Sequence, residues 1–299
     1  MANLFGNNLA NNLTGGVAAD NIFGAGGNDI LNGGGGNDNI YGDSGNDLLT
    51  GGAGLDFMYG GEGDDTFNAT GEGNDNLFGG IGNDVYLVNR TTDNLVEDSN
   101  QGIDIVRSSA SYTLDANVEN LVLTEAANIN GTGNVLGNQI TGNSGNNTLN
   151  GLAGNDNIAG GAGNDNIAGG AGNDNIAGGA GIDRFLFNTA LPGAGVDTIN
   201  DFVVGTDKIV LDKTVFAALE TGAGNILLAG DFSTINAAAA VEVGVAGNSL
   251  DEIVYNRQTG KVWYNQNGNA PGFGVGGGLF ATIVGSPDNL SNTDFLVVA

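Results

Sequence analysis

The sequence contains no cysteine and no histidine, and only 3 of its 299 residues are proline. A disulfide framework is therefore excluded, and so is any zinc site built from cysteine or histidine. The HExxH motif of zinc proteases and a cysteine nucleophile are excluded for the same reason. The sequence also has no GxSxG nucleophile elbow and no phosphate-binding GxxxxGKS loop. We therefore expect a protein that is not an enzyme.

Basic residues are scarce as well. The chain has 7 lysines and arginines against 34 acidic residues, for a formal net charge of -27. Nucleic acids and anionic membranes need positive charge on a protein, so we expect neither as a partner, whereas cations are favoured. No apolar run reaches the ~18 residues of a membrane-spanning helix, so membrane insertion is not expected. The opening MANLFGNNLANN lacks the segments of a signal peptide, and we expect any export to use another route.

Glycine, in contrast, is abundant, with 56 residues, and it recurs in a strict period. Residues 160–177 read GGAGNDNIAGGAGNDNIA, which is one nonapeptide written twice. A glycine-rich acidic chain could be disordered, but a fixed nine-residue register indicates that each copy stacks on others.

Each nonapeptide has an aspartate at its sixth place and an apolar residue at its eighth. Two arrays share this pattern, and their sixth-place residues are Asp20, Asp29, Asp38, Asp47, Asp56, Asp65, Asp75, Asp84, Asp156, Asp165, Asp174 and Asp183. The eighth-place residues run from Ile22 to Tyr86 in the first array and from Ile158 to Phe185 in the second.

The physical properties of these positions predict a stack of short strands. Six residues of GGxGxD form a turn, in which glycine supplies positive φ angles and aspartate is tolerated. The remaining three form a minimal strand with one inward side chain, which is stable only when neighbours pair with it. Two nonapeptides make one coil, so residues 18 apart lie above one another and carboxylates recur about every 4.8 Å. Their repulsion predicts a hard cation between coils, and flexible oxygen ligation favours Ca²⁺ over Mg²⁺.

GGAGNDNIA resembles the GGxGxDxUx nonapeptide of the repeats-in-toxin (RTX) family. The resemblance implies an all-β fold, a right-handed parallel β-roll that binds Ca²⁺ at multiple sites. The segment GVDTINDFVVGTDKIVLD at 195–212 resembles the one that follows the roll in RTX proteins, including the serralysin-like C-terminal domain. By that resemblance Asp197, Asp201 and Asp207 are further candidate calcium ligands, although an ordinary role in a turn or cap is equally open. The C-terminal NTDFLVVA resembles substrates of type I secretion, which implies export by that machinery.

Some copies depart from the motif. Asn11, Asn138 and Asn147 stand where aspartate is expected, and we expect these coils to stack with little or no calcium. Ala69 is a one-residue insertion, so Asp75 should lie above Asp56 across 19 residues while the insertion bulges outward.

These features divide the chain into four parts. We expect a first β-roll block at 1–87, calcium-poor solenoid coils or a spacer at 88–130, a second block at 131–187, and a C-terminal β cap with a secretion signal at 188–299. A small separate β-domain is the alternative for 88–130. Within the cap, apolar and polar residues alternate around a Thr-Gly turn in EIVYNRQTGKVWYNQNG at 252–268, which predicts a β-hairpin.

The sequence thus predicts a secreted calcium-binding structural protein of the cell surface or extracellular matrix. Its partners would be calcium and either a second copy of the chain, added head to tail through the N-terminal coil, or a surface polysaccharide. The alternative is a non-catalytic carbohydrate-binding RTX module that accompanies a polysaccharide-modifying enzyme. Tyr41, Tyr59, Trp263 and Tyr264 are the aromatic residues that could stack on sugars, or they could simply pack.

Overall fold

The computed structural model describes residues 1–191, 193–239, 242–267 and 272–299. These residues form two compact units, Met1–Glu125 with Ile129–Leu136, and Ala126–Asn128 with Gly137–Ala299. No helix in the described ranges has the length and apolar character needed to cross a membrane.

The first unit is built from short strands. Their bounds are β1 Asn3–Phe5, β2 Asn12–Thr14, β3 Asn21–Phe23, β4 Ile30–Gly35, β5 Asn39–Ser44, β6 Leu48–Ala53, β7 Phe57–Glu62, β8 Thr66–Ala69, β9 Asn76–Ile81, β10 Val85–Val88, β11 Asn94–Val96, β12 Ile105–Ser108, β13 Tyr112–Thr113, β14 Asn120–Leu123 and β15 Gly131–Thr132.

Alternate strands of this unit pair in parallel, as a two-nonapeptide coil requires. One series runs β1-β3-β5-β7-β9-β11, and the other runs β2-β4-β6-β8-β10-β12-β14. Within an uninterrupted coil the partners are 18 residues apart, as in Ile22 with Ile40 and Leu31 with Leu49. The predicted parallel β-solenoid of nonapeptide repeats is confirmed.

The second unit begins with the same architecture. Its elements are β16 Gln139–Thr141, β17 Thr148–Ala153, β18 Asn157–Ala162, β19 Asn166–Ala171, β20 Asn175–Ala180, β21 Arg184–Phe187, β22 Asp197–Ile199, β23 Lys208–Asp212, a 3-10 helix Ala229–Asp231, β24 Phe232–Ile235, α1 Glu242–Ala246, β25 Ile253–Asn256, β26 Lys261–Tyr264, β27 Gly278–Ile283, a 3-10 helix Asn292–Asp294 and β28 Phe295–Val298.

Its strands also form two series. One runs β16-β18-β20-β22-β27-β26-β25-β24 and the other β17-β19-β21-β23-β28. β25 and β26 are antiparallel, so the predicted hairpin is confirmed, although Gly268 at the end of that segment lies outside the described residues.

The core is a ladder of the eighth-place residues. Ile22, Leu31, Ile40 and Leu49 are all 0% exposed, and the ladder continues without a break through Met58 and later copies. Each strand contributes one such inward side chain, flanked by outward neighbours, which follows from the period-2 geometry of a strand. Burial of this stripe supplies the hydrophobic stabilisation of the repeats.

The one-residue insertion is accommodated one position later than the sequence predicts. Ala69 is buried in β8 and pairs with Val88, whereas Thr70 is exposed and makes two hydrogen bonds to Oδ1 of Asn68. Asp56 still donates its N–H to Asp75, 19 residues away. The expectation that Ala69 itself bulges outward is wrong, because its small methyl group fits the inward position and the extra residue is taken up in the solvent-facing turn.

Residues after the first array add strands to the same unit. β11 pairs in parallel with β9, and β12 and β14 follow β10 in parallel. Leu95, Val106 and Leu121 are buried in these strands.

We predict that deleting Thr70 leaves the first unit folded and changes its free energy of unfolding by no more than about 1 kcal/mol, because the residue lies outside the hydrogen-bonded register. Deleting Ala53, in a coil that already has the regular length, shifts every later side chain of the coil and should cost about 3 kcal/mol or more. Denaturant titrations in calcium compare the two variants. Equal losses would contradict this account of the insertion.

Candidate metal centre

The predicted sixth-place aspartates form hydrogen-bonded columns, in which each residue contacts the one a coil later. The N–H of Asp20 donates to Oδ1 of Asp38 at 2.7 Å, and the N–H of Asp38 donates to Oδ1 of Asp56 at 2.8 Å. In the second column the N–H of Asp29 donates to Oδ1 of Asp47 at 2.7 Å. One oxygen of each carboxylate is therefore used to hold adjacent coils in register.

The second unit repeats this arrangement. Asp156 donates its N–H to Oδ1 of Asp174 at 2.8 Å, and Asp165 donates to Oδ1 of Asp183 at 2.9 Å. All these carboxylates are buried.

The other oxygen of most of these carboxylates is buried with no hydrogen-bond donor among the described residues. This is true of Oδ2 in eleven of the predicted residues: Asp29, Asp38, Asp47, Asp56, Asp65, Asp75, Asp84, Asp156, Asp165, Asp174 and Asp183. A buried anionic oxygen without a partner is costly, and a bound cation removes that cost.

Glycine keeps space open beside ten of these oxygens, all except Oδ2 of Asp75. A methyl group at Gly33 would lie less than 3.0 Å from Oδ2 of Asp38 and from the carbonyl oxygen of Gly51, one coil later. The same cradle recurs in the second column, at Gly24 beside Asp29 and at Gly42 beside Asp47. Because the donors are carboxylate and carbonyl oxygens only, the site suits Ca²⁺.

Comparison with known families supports this reading of the cradles. The sequence model of the RTX calcium-binding nonapeptide repeat (4 copies) matches residues 5–40, 33–67, 69–93, 132–167 and 150–185. The chain therefore contains RTX calcium-binding nonapeptide repeats in these regions. Its RTX repeats bind Ca²⁺ at multiple sites, and the buried aspartate columns with their unpaired oxygens fit that property.

One similar solved structure is the solution structure of the AlgE6R3 subunit from the Azotobacter vinelandii mannuronan C5-epimerase. It shares 24% identity over 54% of this chain and 78% of that chain, with a TM-score of 0.35. This score is too low to establish a shared overall fold. No curated protein matched the chain.

Burial controls the protonation of the RTX columns. It raises the pKa of Asp56 to about 6 and the pKa of Asp65 and Asp75 to about 7, opposed in each case by the N–H from the preceding coil. Neighbouring carboxylates add to the rise. In the second unit burial raises the pKa of Asp156 and Asp165 to about 6. Protons and cations therefore compete for the same oxygens near neutral pH.

Three of the predicted calcium ligands differ from the other column aspartates in their hydrogen bonds or spacing. The N–H groups of Gly16 and Ala2 donate to Asp20, so its Oδ2 is occupied and its pKa lies below the usual range. Both oxygens of Asp201 accept backbone N–H groups, from Gly178 and Gly179, at 2.9 and 2.8 Å.

The third is Asp197, which continues a column across a 23-residue step. Its Oδ1 accepts the N–H of Asp174 at 3.2 Å. Burial and the adjacent Asp174 carboxylate raise the pKa of Asp197.

The columns also include residues that the motif search missed. Asp93 and Asp104 accept the N–H groups of Asp75 and Asp84, at 3.1 and 2.8 Å, and Oδ2 of Asp93 is buried without a donor. Asp93 follows Asp75 by 18 residues, so spacing alone could have found it, whereas the 20-residue step to Asp104 conceals the pattern. Asp207, which the sequence did name as a candidate, also joins a column, because it accepts the N–H of Asp183 at 3.0 Å.

The asparagine copies join the columns through their backbone. Asn11, Asn138 and Asn147 donate their N–H groups to Asp29, Asp156 and Asp165. Because the asparagine contributes only its main-chain N–H to this bond, it preserves the stacking of its coil.

We predict that Gly33→Ala raises the calcium concentration needed for folding and removes about 1–3 kcal/mol of stability in calcium, since its methyl group displaces two ligand oxygens. Gly33 does not adopt a positive φ, so backbone strain does not confound the result. The matched control is Gly35→Ala in the same strand, where the new methyl group meets nothing closer than 3.7 Å. A calcium titration followed by circular dichroism compares them, and identical midpoints for both variants would refute the cradle.

Proposed function

We propose that this chain is a secreted calcium-binding structural protein of the cell surface or extracellular matrix. The observation that supports this most directly is the set of buried Oδ2 oxygens that no donor satisfies. With a formal charge of -27, the folded chain concentrates negative charge in its interior columns, so folding requires cations. No residue is proposed to be catalytic.

Calcium supply would then decide where the chain folds. Calcium sites of extracellular modules typically have dissociation constants of about 10⁻⁴–10⁻³ M, far above cytosolic calcium. Many weak sites together shift a folding equilibrium strongly, because each bound ion contributes its own linkage term. The chain would remain unfolded in the cytosol, suited to type I export, and fold outside the cell.

The same reasoning supports different roles for different segments of the chain. We propose calcium-loaded roll blocks at 1–87 and 131–187. The coils at 88–130 would be calcium-poor apart from their first turns, where Asp93, Glu97 and Asp104 lie. Residues 188–299 would form a cap with the export signal. In the last part, the antiparallel pairs of β25 to β27 replace the repeat pattern, which suits a cap.

We further propose that a second copy of the chain packs on the first coil. Leu4 and Leu13 are only half-buried, although the next residues of the ladder, Ile22 and Leu31, are 0% exposed. Phe5 is 70% exposed and is the first ring of a stack that continues through Phe23. A second copy would cover these apolar groups, and a head-to-tail contact of this kind produces filaments.

The carbohydrate-binding alternative has less support from the aromatic residues. Trp263 and Tyr264 are 1% and 0% exposed, so they belong to the core. Tyr41 and Tyr59 stack on each other with ring centroids 4.9 Å apart and on Phe23 and Phe78 at either side, so their ring faces are covered. A sugar stacks on an open ring face, which these side chains do not offer.

We predict that the chain in a chelator has little strand structure and that millimolar CaCl₂ produces the β-rich fold cooperatively. Magnesium at the same concentration should be much less effective, because it requires a tighter octahedral site. Far-UV circular dichroism measures both. The same strand content in chelator as in calcium would contradict the proposed function.

Self-assembly is tested separately, by light scattering in calcium. We expect the particle size of the natural chain to grow with protein concentration. The double variant Leu4→Asp, Leu13→Asp should stay monomeric, because carboxylates buried in the contact would oppose it. Val135→Asp is the control, because Val135 is 79% exposed, lies outside the first coil and gains a carboxylate of the same kind. A natural chain that stays monomeric at high concentration would rule out the assembly.

A further inference from the structure

One cluster of carboxylates differs from the repeat cradles. Asp84 precedes β10, Asp104 precedes β12, and Glu97 follows β11. The three side chains offer oxygens that all lie within 4.8 Å of one another. Their residues are 0%, 2% and 5% exposed, so three acidic groups share one buried space.

Besides its acidic groups, this buried space has the features of a ligand-binding site. Oδ2 of Asp84 and Oε2 of Glu97 are buried without a hydrogen-bond donor. A methyl group at Gly79 would lie less than 3.0 Å from Oδ2 of Asp84, Oε1 of Glu97 and the hydroxyl oxygen of Tyr86. Three oxygens from separate side chains therefore converge on one point that only glycine leaves open.

Tyr86 fixes the orientation of Glu97. Its hydroxyl group donates to Oε1 of Glu97, and its ring is held by stacking on Phe67 with centroids 4.8 Å apart. Glu97 is thus held in place by a core residue, with its second oxygen left for a cation. Tyr86 is neutral here, since burial and the Glu97 carboxylate raise the pKa of its hydroxyl far above the usual range.

No salt bridge of the described residues reaches this cluster. The salt bridges found among the described residues join Lys261 to Glu242 and the terminal amino group to Asp20, both outside this site. Two or three carboxylates this close cannot all ionise without a counter-charge. A hard multivalent cation is the ligand that oxygen donors of this charge select.

We propose that Glu97 and Asp104 join the cradle of Asp84 in a calcium site that is tighter than the other cradles of the repeats. Each repeat cradle combines the Oδ2 of an aspartate with glycine carbonyl oxygens, whereas this site contributes three acidic side chains. Higher ligand charge and rigid placement are the factors that tighten calcium sites, so we expect a dissociation constant about tenfold lower. The inference rests on the proposed calcium-binding function and adds two ligands, Glu97 and Asp104, that the nonapeptide does not encode.

The first test is calorimetric titration of the full chain with CaCl₂. The natural chain should first bind one calcium ion at a tight site. It should then bind further calcium ions at a class of weaker, more numerous sites. Glu97→Gln should remove the tight class and leave the weaker class unchanged. Asp98→Asn is the matched control, because the exposed neighbour loses the same charge and should keep both classes.

A spectroscopic test covers the case in which Glu97→Gln does not fold. Tb³⁺ replaces Ca²⁺ in oxygen sites and emits when a nearby tyrosine transfers its excitation. The first equivalent of Tb³⁺ should give sensitised emission in the natural chain, most of which disappears in Tyr86→Phe and persists in Tyr112→Phe.

The outcomes separate the two claims. A chain that folds with calcium but shows one uniform class, or keeps its tight class in Glu97→Gln, overturns this site alone. Emission from the first equivalent that survives in Tyr86→Phe overturns it as well. Absence of any calcium binding in the natural chain would overturn the proposed function and this site together.

Discussion

The fold depends on how each buried aspartate divides its two carboxylate oxygens. Oδ1 accepts the backbone N–H of the corresponding residue one coil earlier, as between Asp38 and Asp56, and so it sets the vertical register. In ten of the repeat aspartates Oδ2 is left facing a glycine cradle, with no donor among the described residues. The first bond keeps the coils stacked, and the second oxygen makes the stack dependent on a cation.

This division explains why substitutions in the repeat have unequal consequences. A coil with asparagine, such as the one around Asn138, still donates its backbone N–H to the column. It therefore propagates the solenoid even if it offers a weaker site. Glycine at the first place has the opposite role, since at Gly33 it contributes nothing to the register but keeps the ligand oxygens accessible. Stability and calcium affinity are thus encoded at different places of the same nine residues.

Most of the fold could be predicted from the sequence, because a strict period fixes both the strand spacing and the inward face. The ladder from Ile22 onward and the 19-residue step between Asp56 and Asp75 follow from counting. What could not be predicted depends on contacts outside the period. The bulge at Thr70 is decided by which residue packs best inward, and the backbone partners of Asp201 come from a turn that no repeat encodes.

The ligands of the candidate site were likewise predictable only in part from the sequence. Twelve aspartates of the described residues have a buried Oδ2 without a donor, and all but Asp93 were named by their place in the motif. Asp104 and Glu97 were not, because they lie where the nonapeptide has ended and only the stacking of β11 and β12 brings them to Asp84. Sequence periodicity identifies ligands that repeat, and it has no means of finding a ligand supplied once.

The central claim is that cations lie against the unpaired Oδ2 oxygens inside the columns. Crystals grown in calcium, with anomalous diffraction used to locate the ions, test it most directly. The account predicts a series of calcium peaks about 2.3–2.6 Å from Oδ2 atoms such as those of Asp38 and Asp165. Calcium peaks confined to exposed carboxylates, with the interior cradles filled by water, would contradict it.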